Sequence, residues 1–180
     1  MDTENESDII KRILDGETNL FSRIIDSYGT PVYRLIKQII PSKEDSEEIV
    51  QDVFLKVFKK LGSFKGDSRF STWLYRIAYN TAISATRKKK HEFSFFNESE
   101  IIDIPDEIID KFFDDDTNEE LILKLQQSID YLDVVEKTLI TLYYLEDKPV
   151  NEIADIMGIS SSNVKIRLFR TRKKLYLHIK

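Results

Sequence analysis

Residues 150–175 read VNEIADIMGISSSNVKIRLFRTRKKL, and their spacing predicts two short helices joined by a tight turn. Ile153, Ala154 and Met157 stand at helical spacing in the first. Gly158 is suited to end it, because a glycine takes the left-handed conformation that helix ends need. Ser160 or Ser161 is suited to cap the second helix by accepting a hydrogen bond from a free backbone N–H. Val164, Leu168 and Leu175 fall on or near one side of that helix, and Lys165, Arg167, Arg170, Arg172, Lys173 and Lys174 take much of the rest. With Lys180, seven Lys or Arg face only Glu152 and Asp155 between residues 150 and 180. A helix–turn–helix with a basic second helix is suited to a DNA major groove. A helical hairpin with a merely solvated basic face is the plainer alternative.

Outward from this motif, the composition favours an all-α protein. The 180 residues include four prolines and five glycines, and 41% are hydrophobic, enough for one large or two small packed cores. There is no cysteine, so no disulfide framework or thiolate metal site is expected. The N-terminal MDTENESD is acidic, unlike a secretory signal, and no apolar run nears the ~20 residues of a membrane span. The expected location is cytoplasmic, without membrane insertion. A net charge of −5 sits oddly with DNA binding until the charges are placed along the chain.

Residues 7–14 predict a short amphipathic helix with Ile9, Ile10, Ile13 and Leu14 inward. Asp15 and Gly16 break it. Thr18 or Asn19 is expected to cap a second helix running to Tyr28, Gly29 to end that helix, and Pro31 to open a third, stopped by Pro41. Ser42 opens a longer helix in which Ile49, Val50, Val53, Phe54, Val57, Phe58 and Leu61 recur every three or four residues. Its polar side begins acidic, with Glu44, Asp45, Glu47, Glu48 and Asp52, and ends basic, as the helix dipole favours. Residues 62–70 form a loop with two glycines and two aromatics. Ser71 is expected to cap the next helix, where Trp73, Leu74, Ile77 and Ala78 suit a core and Arg76, Asn80, Ser84 and Arg87 make a polar row. Aromatics, an amide and cations are the ingredients of a grip on single-stranded nucleic acid. A buried Trp with a basic helix end is the alternative.

Residues 92–120 hold twelve acids against Lys111 alone. Such self-repulsion predicts an extended linker, although ten Ile and Phe are interspersed. The run from Asp114 to Asn118 lacks the glycine and the final acid of a calcium loop. Residues 120–132 predict another amphipathic helix, and Asp133 caps an apolar one that leads to Pro149. His91 and His178 have no nucleophile or carboxylate placed beside them by sequence, and neither a phosphate loop nor a nucleophile elbow is present. No catalytic residues, cofactor or metal are expected, and the chain does not read as an enzyme.

Two stretches, EDSEEIVQDVFLKVFKKLGSFKGDSRFSTWLYRIAYNTAISATRKKK and LDVVEKTLITLYYLEDKPVNEIADIMGISSSNVKIRLFRTRKKL, together resemble the bacterial sigma-70 family of RNA polymerase sigma factors, extracytoplasmic-function (ECF) type. The FSTWLYRIAYN run is the most specific part. The resemblance implies two helical domains: region 2 over 1–90 and region 4 over 119–180, joined by an acidic linker at 91–118. It implies that Ser161, Ser162, Lys165, Arg167, Phe169 and Arg170 read a −35 promoter element as duplex. It assigns melted −10 bases to Phe64, Lys65, Trp73, Arg76, Asn80, Ser84 and Arg87. Asp45, Glu48, Gln51 and Asp52 become the docking surface for the β′ clamp helices of core RNA polymerase. The β subunit and promoter DNA are the other implied partners, and a cognate anti-sigma factor is left open. Asp133 and Pro149 depart from the residues the family often has there, and Ile166 offers no hydrogen bond toward a groove. A stand-alone helix–turn–helix regulator would explain residues 120–180 and leave the first domain unassigned.

Overall fold

The computed structural model describes residues 5–88, 104–114 and 119–179. The chain divides into two compact units, Met1–Lys89 and Lys90–Lys180. Among the described residues every regular element is helical.

In the N-terminal unit, helix α1 (Glu6–Leu14) is capped by Asn5, whose side chain accepts from the Ser7 N–H. Ile10 and Ile13 are buried, while Leu14, expected inward, is exposed. The Tyr28 hydroxyl donates to the Glu6 carboxylate and ties α1 to the next helix. Burial and that carboxylate push the Tyr28 phenol well above its ordinary pKa.

Helix α2 runs unbroken from Phe21 to Ile39, with Gly29 and Pro31 inside it. The expected pair of helices is therefore one helix. A Thr18–Leu20 3-10 turn leads in, and no side chain caps the start, so the expected Thr18 or Asn19 cap does not form. A proline inside a helix removes one hydrogen bond and costs about 3 kcal/mol. Here Phe21, Ile24, Val32, Leu35, Ile36 and Ile39 form one buried face on both sides of it. Continuous burial outweighs the local break.

Helix α3 (Lys43–Lys60) opens at Ser42, whose Oγ accepts from the Asp45 N–H at 3.2 Å, as expected. Val53, Phe54, Val57 and Leu61 are buried, Ile49 and Val50 are half-buried, and Phe58 is exposed. Helix α4 (Phe70–Lys88) starts one residue before Ser71, which lies inside its first turn rather than capping it. Helices α2, α3 and α4 pack against one another in all three pairings. Ala78 and Ala82 are wholly buried, and their small side chains suit close helix contact. Ser46 is buried, and its hydroxyl shares its one proton between the Ile40 and Ser42 carbonyls, at 2.8 and 2.7 Å.

In the C-terminal unit, helices α5 (Asp106–Asp114), α6 (Glu119–Ser128), α7 (Val134–Ile140) and α8 (Val150–Met157) each pack on α9 (Ser161–Ile179). Asp133 and Glu136 cap α7 reciprocally, with Glu136 N–H donating at 2.8 Å and Asp133 N–H at 3.1 Å. The apolar helix expected after Asp133 passes into a π turn, Thr141–Leu145.

Helix α5 corrects the expectation of an extended linker. Ile109 and Phe113 are buried, and Phe112 lies edge-on to Tyr176 of α9 at 5.0 Å. A nine-residue helix is marginal alone, so α5 depends on this docking. Each buried side chain contributes roughly 1.5–3 kcal/mol. The rest of the acidic segment, 91–103 and 115–118, lies outside the described residues, as does His91.

Breaking the capping box tests which unit depends on it. Asp133→Ala should destabilise the C-terminal unit by about 1 kcal/mol. Urea unfolding followed separately in each unit should show an unchanged N-terminal transition.

Candidate nucleic-acid interface

Gly158 ends α8 with φ +69°, and its N–H donates to the Ala154 carbonyl at 2.9 Å. The Ser160 hydroxyl accepts from the Asn163 N–H at 3.2 Å. Of the two expected caps it is therefore Ser160 that acts, and Ser161 begins the helix. Val164, Leu168, Thr171 and Leu175 then face the core.

The cations of α9 divide along its length. Ser161, Ser162, Lys165, Ile166 and Arg170, all in the first ten residues, are exposed. Arg167 is half-buried, and its Nε donates to Asn163 Oδ1 at 2.7 Å. Beyond Arg170, the side chains of Arg172, Lys173 and Lys174 have partners within the fold. Arg172 donates to the Tyr144 hydroxyl at 2.8 Å and lies over the rings of Phe113, Tyr143 and Tyr144. Lys173 pairs with Asp106 at 2.9 Å and sits 4.7 Å from the centroid of the half-buried Phe169 ring. Lys174 pairs with Glu136.

On α4, Arg76, Asn80, Ser84 and Arg87 are all exposed, at intervals that keep them on one side of the helix. At its start lies an aromatic cluster. Phe64 lies 5.4 Å from both Phe70 and Trp73, Phe70 lies 5.7 Å from Trp73, and Tyr28 closes on Phe70 at 5.8 Å. Phe70 is buried, while Phe64 and Trp73 are half-buried and Lys65 is exposed. Trp73 thus belongs both to the packing and to the surface. Gly66, at φ +78°, makes the turn that returns the loop to α4.

Along α3, Glu48, Gln51 and Asp52 are exposed and Asp45, in the first turn, is half-buried. Leu55 was missed by sequence reasoning. It is 57% exposed, three residues after Asp52 and four after Gln51. A hydrophobic residue in phase with a polar row was the available signal. Asp106 was missed as well, hidden among the acids of its segment.

Among the described residues, no group of three or more His, Asp or Glu is placed to hold a metal ion. No described helix is long and apolar enough to cross a membrane.

A helical bundle carrying an exposed polar row, followed by a helix–turn–helix unit with an exposed basic start, defines a class of two-domain helical proteins. The family model for Sigma-70 region 2 matches residues 24–92, and that for Sigma-70, region 4 matches 122–175. The chain is 32% identical over 172 residues to the ECF RNA polymerase sigma factor SigW of Bacillus subtilis, covering 92% of each protein. It is 31% identical to the ECF RNA polymerase sigma-E factor of Haemophilus influenzae, covering 93% of this chain and 91% of that one. The fold is similar to CnrH, solved with the cytosolic domain of CnrY, at a TM-score of 0.65 and 20% identity, covering 94% and 93% of the two chains. The chain belongs to the sigma-70 family, among its ECF RNA polymerase sigma factors.

The geometry separates packing from contact. Trp73→Ala should cost on the order of 2 kcal/mol, below the ~3–5 of a fully buried aromatic. Asn80→Ala should change stability by less than about 0.5 kcal/mol. Urea unfolding midpoints of the two variants check the contrast.

Proposed function

We propose that this chain binds core RNA polymerase and directs it to promoters, reading a −35 element as duplex with α9 and capturing melted −10 bases with α4 and the loop before it. The observation that carries the reading is the selective exposure of both faces. Arg76, Asn80, Ser84 and Arg87 are exposed on α4, and Ser161, Ser162, Lys165 and Arg170 on α9, whereas the later cations of α9 are taken up inside the fold. Lys165 and Arg170 supply phosphate or base-edge contacts in a groove. Arg167, oriented by Asn163, and the ring of Phe169 complete that face. Exposed Ile166 offers only apolar contact.

On the other domain, the exposed parts of Phe64 and Trp73 offer stacking surface. Lys65, Arg76 and Arg87 offer charge to the backbone, and Asn80 and Ser84 offer hydrogen bonds. Unstacked bases held there offset the cost of opening the duplex. Glu48, Gln51 and Asp52, with Asp45 at the helix start and Leu55 beside them, dock on the β′ clamp helices. An apolar side chain amid polar ones is the usual make-up of such a contact. The polymerase holds the two readers on one promoter, so modest affinities act together. RNA synthesis belongs to the polymerase, and the chain needs no cofactor of its own. The solved relative RpoE of Bartonella quintana, a sigma factor in complex with the anti-sigma factor NepR, has the same fold at TM-score 0.63 and 19% identity, covering 87% of this chain and 94% of that one. That likeness makes an anti-sigma protein a reasonable further partner.

Two experiments test the reading. Asn80→Ala should slow open-complex formation on duplex promoters, and a template with a pre-melted −10 bubble should recover part of the loss. An equal defect on both templates would assign Asn80 a role other than strand capture. Asp52→Lys should weaken co-purification with core polymerase while circular dichroism stays unchanged. An exposed ion pair is worth only about 0–1 kcal/mol, so a larger loss marks a desolvated contact.

A further inference from the structure

Lys173 lies in the row of α9 that begins at the exposed Lys165. Lys165, Phe169 and Lys173 follow at intervals of four, so they share one side of the helix. Lys173 stands at the far end of that row, its ammonium over the Phe169 ring. It is held there by Asp106 of α5, at 2.9 Å. The pair is lopsided: the Lys173 side chain is 17% exposed and the Asp106 side chain 67%. The carboxylate is thus the solvent-facing partner of the pair, and the ammonium lies mostly covered beneath it. Ile109 and Phe113, buried farther along α5, keep Asp106 in place. The chemistry that suits this position is an anionic oxygen. A carboxylate of the chain itself now supplies it.

We propose that Asp106 is a built-in phosphate surrogate that keeps Lys173 out of contact with DNA while α5 is docked. Helix α5 of the C-terminal unit then acts as an autoinhibitory clasp on the upstream reader. It removes a cation from the nonspecific electrostatic grip and leaves recognition to the first turns of α9. The proposal rests on α9 being the DNA reader.

The test uses the full chain, alone and with core polymerase, and the anisotropy of a labelled random-sequence duplex across a salt series. Asp106→Asn preserves the size of an exposed side chain and removes its charge. It should tighten binding and steepen the slope of log affinity against log salt by about 0.9, the value of one added phosphate contact. Its advantage over the parent should then shrink about 3.5-fold between 50 and 200 mM salt, from the same slope. Ile109→Asp, which undocks α5, should give a similar gain, and Lys173→Ala should abolish the gain in either background. A gain from Asp106→Asn that survives Lys173→Ala would overturn the proposal, because Asp106 would then act only by diffuse repulsion. Arg170→Ala separates the two levels. If it weakens binding while Asp106→Asn changes nothing, the clasp is overturned and the reader stands. If Arg170→Ala also changes nothing, the assignment of α9 as reader falls, and the clasp with it.

Discussion

The C-terminal domain depends on one constraint: α9 must be covered along its apolar side and left open on another. Val164, Leu168, Thr171 and Leu175 run the length of the helix and are buried throughout. Four helices share that covering. Arg172, Lys173 and Lys174 meet aromatic rings and carboxylates from α5, α7 and the π turn, while Lys165 and Arg170 stay exposed. The uneven distribution of charged partners along α9 is what sets the reach of the basic face.

The N-terminal domain answers the same constraint differently. Helices α2, α3 and α4 bury their apolar faces against one another, so each outer face is available for other work. On α3 that face carries acids and a leucine, and on α4 a row of amide, hydroxyl and guanidinium groups. The aromatic cluster around Phe70 anchors the loop between them, so the mobile-looking sequence at residues 62–70 begins and ends on packed rings. The exposed side chains of the loop and of α4 are thereby mounted on a core rather than on a free loop.

Most helices were legible in the sequence because their apolar residues recur at helical spacing, as in α3 and α9. The unbroken α2 was not, because Gly29 and Pro31 are local signals and the burial that overrides them is tertiary. Helix α5 was obscured by its charge. Ile108, Ile109, Phe112 and Phe113 have helical spacing, but the surrounding acids suggested an extended chain. The turn of the helix–turn–helix was readable down to a choice between two serines. Which cations of α9 remain exposed was not readable, because a sequence counts charges and cannot show their partners. Arg172, Lys173 and Lys174 look like Lys165 and Arg170 until Tyr144, Asp106 and Glu136 are brought beside them.

The π turn at Thr141–Leu145 has a consequence for helix phase. Its wider winding is marked by the Glu146 N–H donating to the Thr141 carbonyl at 3.0 Å, five residues back. That winding sets the direction in which Tyr143 and Tyr144 emerge, and both rings meet Arg172. Successive residues of an α-helix are offset by about 100°, and those of a wider π turn by less. Losing one residue here would close the segment to α winding and turn the tyrosines from their guanidinium. The segment therefore works as a rotational spacer, and its residue count constrains the domain as strongly as its residue types.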